Sequence, residues 1–215
     1  MMNSMKKAWI LLVTLCLAAC QIRWLTDLAV PAGGTIYQDD FSDPQSGWPV
    51  QSAEEGWIGY AGEAYVIQVA APNYDLWAVT GQTFQEVRVE VTAVRTAGPE
   101  QNRIGLVCRY LDPGNYYFFV ISSDGYYTVG KLHDGVRSLL GQEMMAYSDA
   151  ILPGEAANRL RFDCSGEVLS GYINDRLVAV TSDPDLRDGD AGLLAGAFDE
   201  GGVEIRFDDF TVIKP

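Results

Sequence analysis

The sequence predicts an all-β protein, a sandwich or a barrel. Three observations carry that prediction. Apolar residues recur with a period of two along most of the chain, as in Val87-Arg-Val89-Glu-Val91-Thr-Ala93. Such alternation marks strands with one face buried and one wet. Turn formers separate the strand-like runs: Asp112-Pro-Gly-Asn115, Ser123-Asp124-Gly125, His133-Asp134-Gly135, Ser165-Gly166 and Asn174-Asp175. No helical period of useful length occurs, and Asp183 to Arg187 amounts to one turn at most. Many short strands with regular turns pack as two sheets or close on themselves.

The chain opens with Lys6 and Lys7, an uncharged apolar run from Ala8 to Leu17, then Leu17-Ala18-Ala19-Cys20. The run is too short to span a bilayer, which needs roughly 20 apolar residues. It fits a signal peptide over residues 1–19. The cysteine after the small residues resembles the lipobox of bacterial lipoproteins. That resemblance implies a lipid on Cys20, an extracytoplasmic domain and a membrane as partner. A short tether, residues 20–34, leads to one domain over residues 35–215.

Within that domain, Ala64 to Val69, Val87 to Ala93, Ile104 to Tyr110, Tyr116 to Ile121, Tyr126 to Leu132, Leu160 to Cys164, Val168 to Ile173 and Arg176 to Thr181 read as strands. Asp124-Gly125 and Asn174-Asp175 each join two of them as a hairpin. In the last strand, Val203, Ile205 and Phe207 share one phase, and Phe210 and Val212 the other. The flip across Asp208-Asp209 calls for a bulge or bend. Asp39-Asp40-Phe41 repeats the Asp-Asp-Phe near the start, so first and last strands are expected side by side.

Four cysteines are present. Cys16 leaves with the signal and Cys20 takes the lipid. Cys108 and Cys164 remain, both on the apolar phase of strands. An even pair in an oxidising compartment points to a disulfide stapling the core.

The formal charge of −14 becomes −16 once Lys6 and Lys7 leave with the signal. So acidic a domain excludes nucleic acid as a partner, because phosphate contacts need Lys and Arg. It also disfavours anionic lipid surfaces.

Several segments together carry a family resemblance: Asp39-Asp-Phe-Ser-Asp-Pro44 with Ser46-Gly-Trp48, Arg103-Ile-Gly-Leu-Val-Cys-Arg-Tyr110, Tyr116-Tyr-Phe-Phe-Val-Ile-Ser-Ser-Asp-Gly125, Leu160-Arg-Phe-Asp-Cys-Ser-Gly166, Gly189-Asp-Ala-Gly192 and Phe207-Asp-Asp-Phe-Thr-Val212. They are similar to the concanavalin A-like lectin/glucanase superfamily, on its laminin G-like and keto-disaccharide-hydrolase-like side. The resemblance implies a two-sheet antiparallel jelly-roll sandwich with one concave sheet. It also implies glycan or protein binding at that face or its rim, and in some relatives a structural calcium.

Catalytic relatives on this fold present carboxylates as Glu-x-Asp-x-x-Glu, and the pattern does not occur here. The only histidine, His133, lies in a turn with no Gly-x-Ser-x-Gly elsewhere. Zinc or iron would lack ligands, and no phosphate-cradling loop is present. No catalytic residue is assigned. Calcium, which takes six or more oxygens, could use Asp40, Asp208 and Asp209 if the terminal strands meet. A second acidic loop runs from Ser182 to Asp190. The aromatics are the binding clue, because sugars offer apolar C–H faces to flat rings. With Phe118 placed in the core, Tyr117 faces the other way, and Arg109 points away from the phase of Cys108. Arg109, Tyr117 and Tyr127 are therefore the expected ligand-facing cluster, and replacing Tyr117 is expected to weaken binding without unfolding the domain. The expected function is a membrane-tethered, non-catalytic glycan-recognition module. The alternatives are a protein-interaction domain of an envelope complex and a sugar hydrolase without a recognisable motif.

Overall fold

The computed structural model describes residues 30–215. The predicted signal, Cys20 and most of the tether lie outside the described residues. Sixteen strands and no helix occur among the described residues. In chain order they are β1 (Thr35–Asp39), β2 (Gln51–Ala53), β3 (Gly56–Tyr60), β4 (Tyr65–Val69), β5 (Asp75–Val79), β6 (Val87–Ala97), β7 (Asn102–Asp112), β8 (Asn115–Ile121), β9 (Tyr126–His133), β10 (Val136–Leu139), β11 (Ala146–Tyr147), β12 (Asn158–Ser165), β13 (Val168–Ile173), β14 (Arg176–Ser182), β15 (Asp190–Ala197) and β16 (Val203–Ile213).

They form two antiparallel sheets. One runs β14-β13-β12-β6-β16-β4-β3-β2, with β1 also paired to β16; the other runs β10-β9-β8-β7-β15-β5, with β11 paired to β9. The core lies between them. From the first sheet it takes Val87, Val89 and Val91 with Leu160 and Phe162, and from the second Leu106, Phe119 and Leu193. Period-two alternation put these residues on one face, as the burial along β6 and β12 shows.

The terminal strands do meet, with Asp39 opposite Phe210. The phase flip in β16 is a bulge between Asp208 and Thr211, with Asp209 at φ 53°. The Asn174-Asp175 turn places both residues at positive φ, as a type I′ hairpin requires. Cys108 on β7 and Cys164 on β12 are joined, so the disulfide ties one sheet to the other.

Several strands depart from the alternation pattern, β15 and β5 among them. β15 is buried at every position, because its core face packs between the sheets and its outer face lies under other side chains. β5 is a short edge strand with mixed burial.

Candidate functional site: the concave face

The seven-stranded sheet has an outer face that is also closed. Val107, Tyr116, Phe118, Val120 and Leu194 form a second apolar cluster there, each at most 1% exposed. The cause is curvature together with long side chains. Arg137 on β10, at one edge, pairs with Asp75 on β5, at the other edge. Five strand spacings of roughly 4.8 Å would separate those edges in a flat sheet. The sheet therefore curls, and this face is concave.

Polar groups roof the apolar floor. Arg103 Nε donates to Asp75 Oδ1 at 2.5 Å, and Arg103 also donates to the Ala197 carbonyl at 2.6 Å. The Arg137 guanidinium lies 5.0 Å from the centre of the Phe118 ring. Asp75 is 7% exposed and Arg103 12%, whereas Arg137 is 40% exposed and open to solvent. One acid thus holds two guanidiniums, and Arg137 keeps free donors. Beside them Trp77, Tyr110 and Tyr116 gather, with ring centres 5.7–6.3 Å apart. Trp77 Nε1 donates to the Tyr110 hydroxyl at 3.1 Å. Burial pushes the Tyr116 hydroxyl up to about 12, so it stays a neutral donor at ordinary pH. Trp77, Tyr110 and Asp75, together with the exposed Tyr74, line one wall of a groove of about 580 Å³ along the β5 edge, and Pro49, Gln51 and Ala53 beside the other sheet line the facing wall. Flat rings beside fixed polar groups can hold a ligand with apolar faces and hydroxyl edges.

The cluster expected from the sequence faces the other way. Tyr117 is fully buried between the sheets; its hydroxyl donates to Asp183 Oδ1 at 2.7 Å and accepts from Leu186 N at 3.0 Å. Tyr127 packs on the same core and donates to the Val178 carbonyl. Arg109 is 2% exposed, donates to the Leu186 carbonyl, and sits at φ 50° in a bulge of β7. The physical reason is strand phase. Tyr117 lies opposite Cys108, and Cys108 must point inward to reach Cys164. Phe118 therefore belongs to the concave face. The bulge turns Arg109 inward as well. A signal for Tyr117 existed in the sequence: the two-residue turn pairs Asp112 with Asn115, and that parity places Tyr117 and Phe119 in phase with Cys108. Replacing Tyr117 by Ala is therefore a core deletion, and the expectation that it spares the fold does not hold.

Asp40 and Asp209 do come together, with Asp39, around a cavity of about 480 Å³. The carboxylates of Asp39, Asp40 and the neighbouring Asp208 close local turns. Asp39 accepts from Phe41 N and Asp40 from Ser42 N, while Asp208 accepts from Asp209 N. Three acids of the second acidic loop are taken by partners within the domain: Lys131 binds Asp183 and Asp185, and Asp190 accepts from Thr80 and Gly81. Among the described residues, no group of three or more His, Cys, Asp or Glu is placed to hold a metal ion. His133 is partly exposed beside Asp185.

No protein family matches the sequence, and no characterised protein matches it at the sequence level. Solved structures do share the fold. A carbohydrate-binding module, CBM66 from Bacillus subtilis, aligns at TM-score 0.63 and 18% identity, covering 78% of this chain and 95% of its own. A Bacillus subtilis protein of unknown function with a galectin-like fold aligns at 0.62 and 12%, covering 86% and 97%. A Bacillus licheniformis β-glucanase aligns at 0.59 and 11%, covering 86% and 100%. The fold is thus a two-sheet jelly roll of the concanavalin A-like and galectin-like class.

Proposed function

We propose that this protein is a glycan-binding module, tethered to a membrane by lipid on Cys20 and working outside the cytoplasm. The observation that carries the reading is the concave face. Trp77, Tyr110 and Asp75 line one wall of an open groove at the β5 edge, with Tyr116 buried behind the rings and Arg137 and Arg103 holding Asp75. A solved neighbour named as a carbohydrate-binding module and another titled for endo-acting O-glycanases support a sugar ligand on the same fold, although fold alone confers no activity.

Binding needs no covalent step. The Trp77 ring stacks on the apolar face of a sugar ring, and the solvent-open Arg137, held in place by Asp75, takes its hydroxyls. Hydrolysis would require two carboxylates flanking the scissile bond. Among the described residues lining the groove, Asp75 is the one acid, and two arginines already hold it.

A glycan array with wild-type protein and Trp77→Ala tests the reading. The wild type is expected to bind a defined set of glycans, and the variant to lose roughly tenfold or more in affinity, about 1.4 kcal/mol. A wild-type protein that binds nothing on the array, or a Trp77→Ala variant that binds as well, overturns it. Globomycin-sensitive processing and loss of membrane association in Cys20→Ala test the tether. Unchanged membrane association in that variant removes the lipid anchor from the proposal.

A further inference from the structure

A cavity of about 260 Å³ lies at the end of the domain where β15 finishes and β16 begins, lined by Asp124, Tyr126, Met145, Phe198 and Asp199 among others. It is remote from the point where the chain enters the domain. Lys214, just past β16, bonds to Gly33 and Gly34 at that point, and β16 is 11 residues long, roughly 35 Å at the usual strand rise. The walls combine two kinds of group. Asp124 and Asp199 are carboxylates with no cationic partner among the described residues, and Asp124 Oδ1 is buried without a hydrogen bond. Tyr126 and Phe198 are flat rings. Arg103 already lays its guanidinium over Phe198, 4.2 Å from the ring centre.

The rim of this cavity is apolar and open. Tyr126, Met144 and Tyr147 are 42%, 73% and 67% exposed, and Tyr147 meets Tyr126 edge-on with ring centres 5.8 Å apart. Gly125 makes room for the Tyr147 ring, since a Cβ there would stand 2.8 Å from it. Leu152 is exposed in the neighbouring loop, which Gly154 N ties to the Ser123 carbonyl. An acid-lined pocket inside a rim of exposed aromatic and aliphatic side chains is the complement of an arginine set in an apolar patch. Protein interfaces are enriched in Tyr, Met and Arg, and an Arg seated in a pocket is a frequent anchor. A guanidinium suits these walls better than an ammonium, because its planar fork can meet a carboxylate while its face lies on a ring.

We infer that this cavity is a docking site for a partner protein, filled by an arginine side chain of that partner with its guanidinium on Asp124 and beside the Tyr126 and Phe198 rings. The exposed rim then covers apolar neighbours of the arginine. Charge favours a basic partner over a second copy of this chain, because the domain is strongly acidic and two such surfaces repel. The volume suits one side chain, since pockets for drug-sized ligands are roughly 300–1,000 Å³. The cavity shares no lining residue with the groove at β5. It is a separate site, and it stands whether or not that groove binds glycan.

The test selects a random peptide display library on the wild-type protein and on Asp124→Asn. The wild type should enrich peptides with an arginine flanked by aromatic or aliphatic residues, and the variant should not. Asp199→Asn, at an exposed position, repeats the comparison without touching a buried atom, and thermal unfolding checks both variants. A selected peptide is then titrated with arginine or citrulline at the key position; citrulline keeps the shape and removes the charge. Citrulline should cost about tenfold or more in affinity, Tyr126→Ala should weaken the arginine peptide by about threefold or more, and Trp77→Ala should leave it unchanged. No arginine enrichment by the wild type, or enrichment that persists in both Asp variants, overturns the site. Agmatine bound as tightly as the selected peptide overturns the protein partner, since the rim then adds nothing. A peptide weakened by Trp77→Ala and not by Tyr126→Ala belongs to the groove at β5 and overturns the inference as well.

Discussion

Gly196 arranges the roof of the concave face by lacking a side chain. A Cβ there would stand 1.9 Å from Asp75 Oδ1 and 2.7 Å from Arg103 Nε. Only the bare backbone lets Asp75 lie flat over β15 and meet both arginines. Gly196→Ala should displace Asp75 and weaken glycan affinity roughly tenfold, with an overpacking cost of about 1–3 kcal/mol. Titration and denaturant unfolding read the two effects; undiminished binding would detach Asp75 from the site. Tyr117 sits on the opposite face and should behave in the opposite way. Tyr117→Phe strands the Asp183 and Leu186 hydrogen bonds and should cost about 1–3 kcal/mol without touching glycan affinity. Tyr117→Ala should cost about 3–5 kcal/mol, as a large core deletion does. The abundance of aromatic residues was plain in the sequence. Which rings meet solvent was not, because a ring's hydrophobicity is the same on either face of a strand.

At the scale of elements, the inter-sheet staple and the bulges do most to set the geometry. Cys108 and Cys164 are 56 residues apart in sequence. Closing a loop of that length contributes about 4 kcal/mol by the chain-entropy argument. The Cys108→Ser, Cys164→Ser double variant should lose about that much in a denaturant series; a midpoint that barely moves would show that the closed loop constrains little. Both cysteines were legible in the sequence through their shared inward phase, and so was the bulge in β16, since the apolar phase flips at Asp208-Asp209. The bulge in β7 left no such trace. Arg109 occupies an outward position in the alternation of β7, and its positive φ follows from the offset pairing with β8. β15 and β5 were also silent, because alternation vanishes where both faces are covered or the strand lies at an edge. Trp77 and Asp75, the centre of the site, lie on β5 for that reason unmarked.

Across the whole molecule, charge sets the response to pH. Burial opposes ionisation of Asp183, but hydrogen bonds from Lys131 and Tyr117 outweigh it and hold its carboxyl below the usual range. The folded value lies below the unfolded one. Its stabilisation is therefore present above about pH 4, the unfolded value, and is lost as pH falls through the folded value. Asp190 has the reverse sign, since burial raises it and its contribution fades as pH climbs past about 4. Asp183→Asn should flatten part of the acid loss of stability in a series of unfolding curves; an unaltered acid limb would remove Asp183 from that role. At high pH, burial pushes the hydroxyls of Tyr37, Tyr116 and Tyr117 up to about 12. Unfolded tyrosine ionises near 10, so stability should decline from about pH 10 upward. Phenolate absorbance that rises well before unfolding would contradict this.

The sequence by itself determined the class of fold, the strand faces of the first sheet, the pairing of the two inward cysteines and the meeting of the terminal strands. These follow from local rules: a period of two, turn chemistry and phase. Only the tertiary structure decided that the seven-stranded sheet curls so far that Arg137 reaches Asp75, that Trp77 and Tyr110 converge beside them, and that Arg109 and Tyr117 are buried. Curvature, bulge register and contact between opposite sheet edges arise from many strands at once, and no single stretch of residues encodes them.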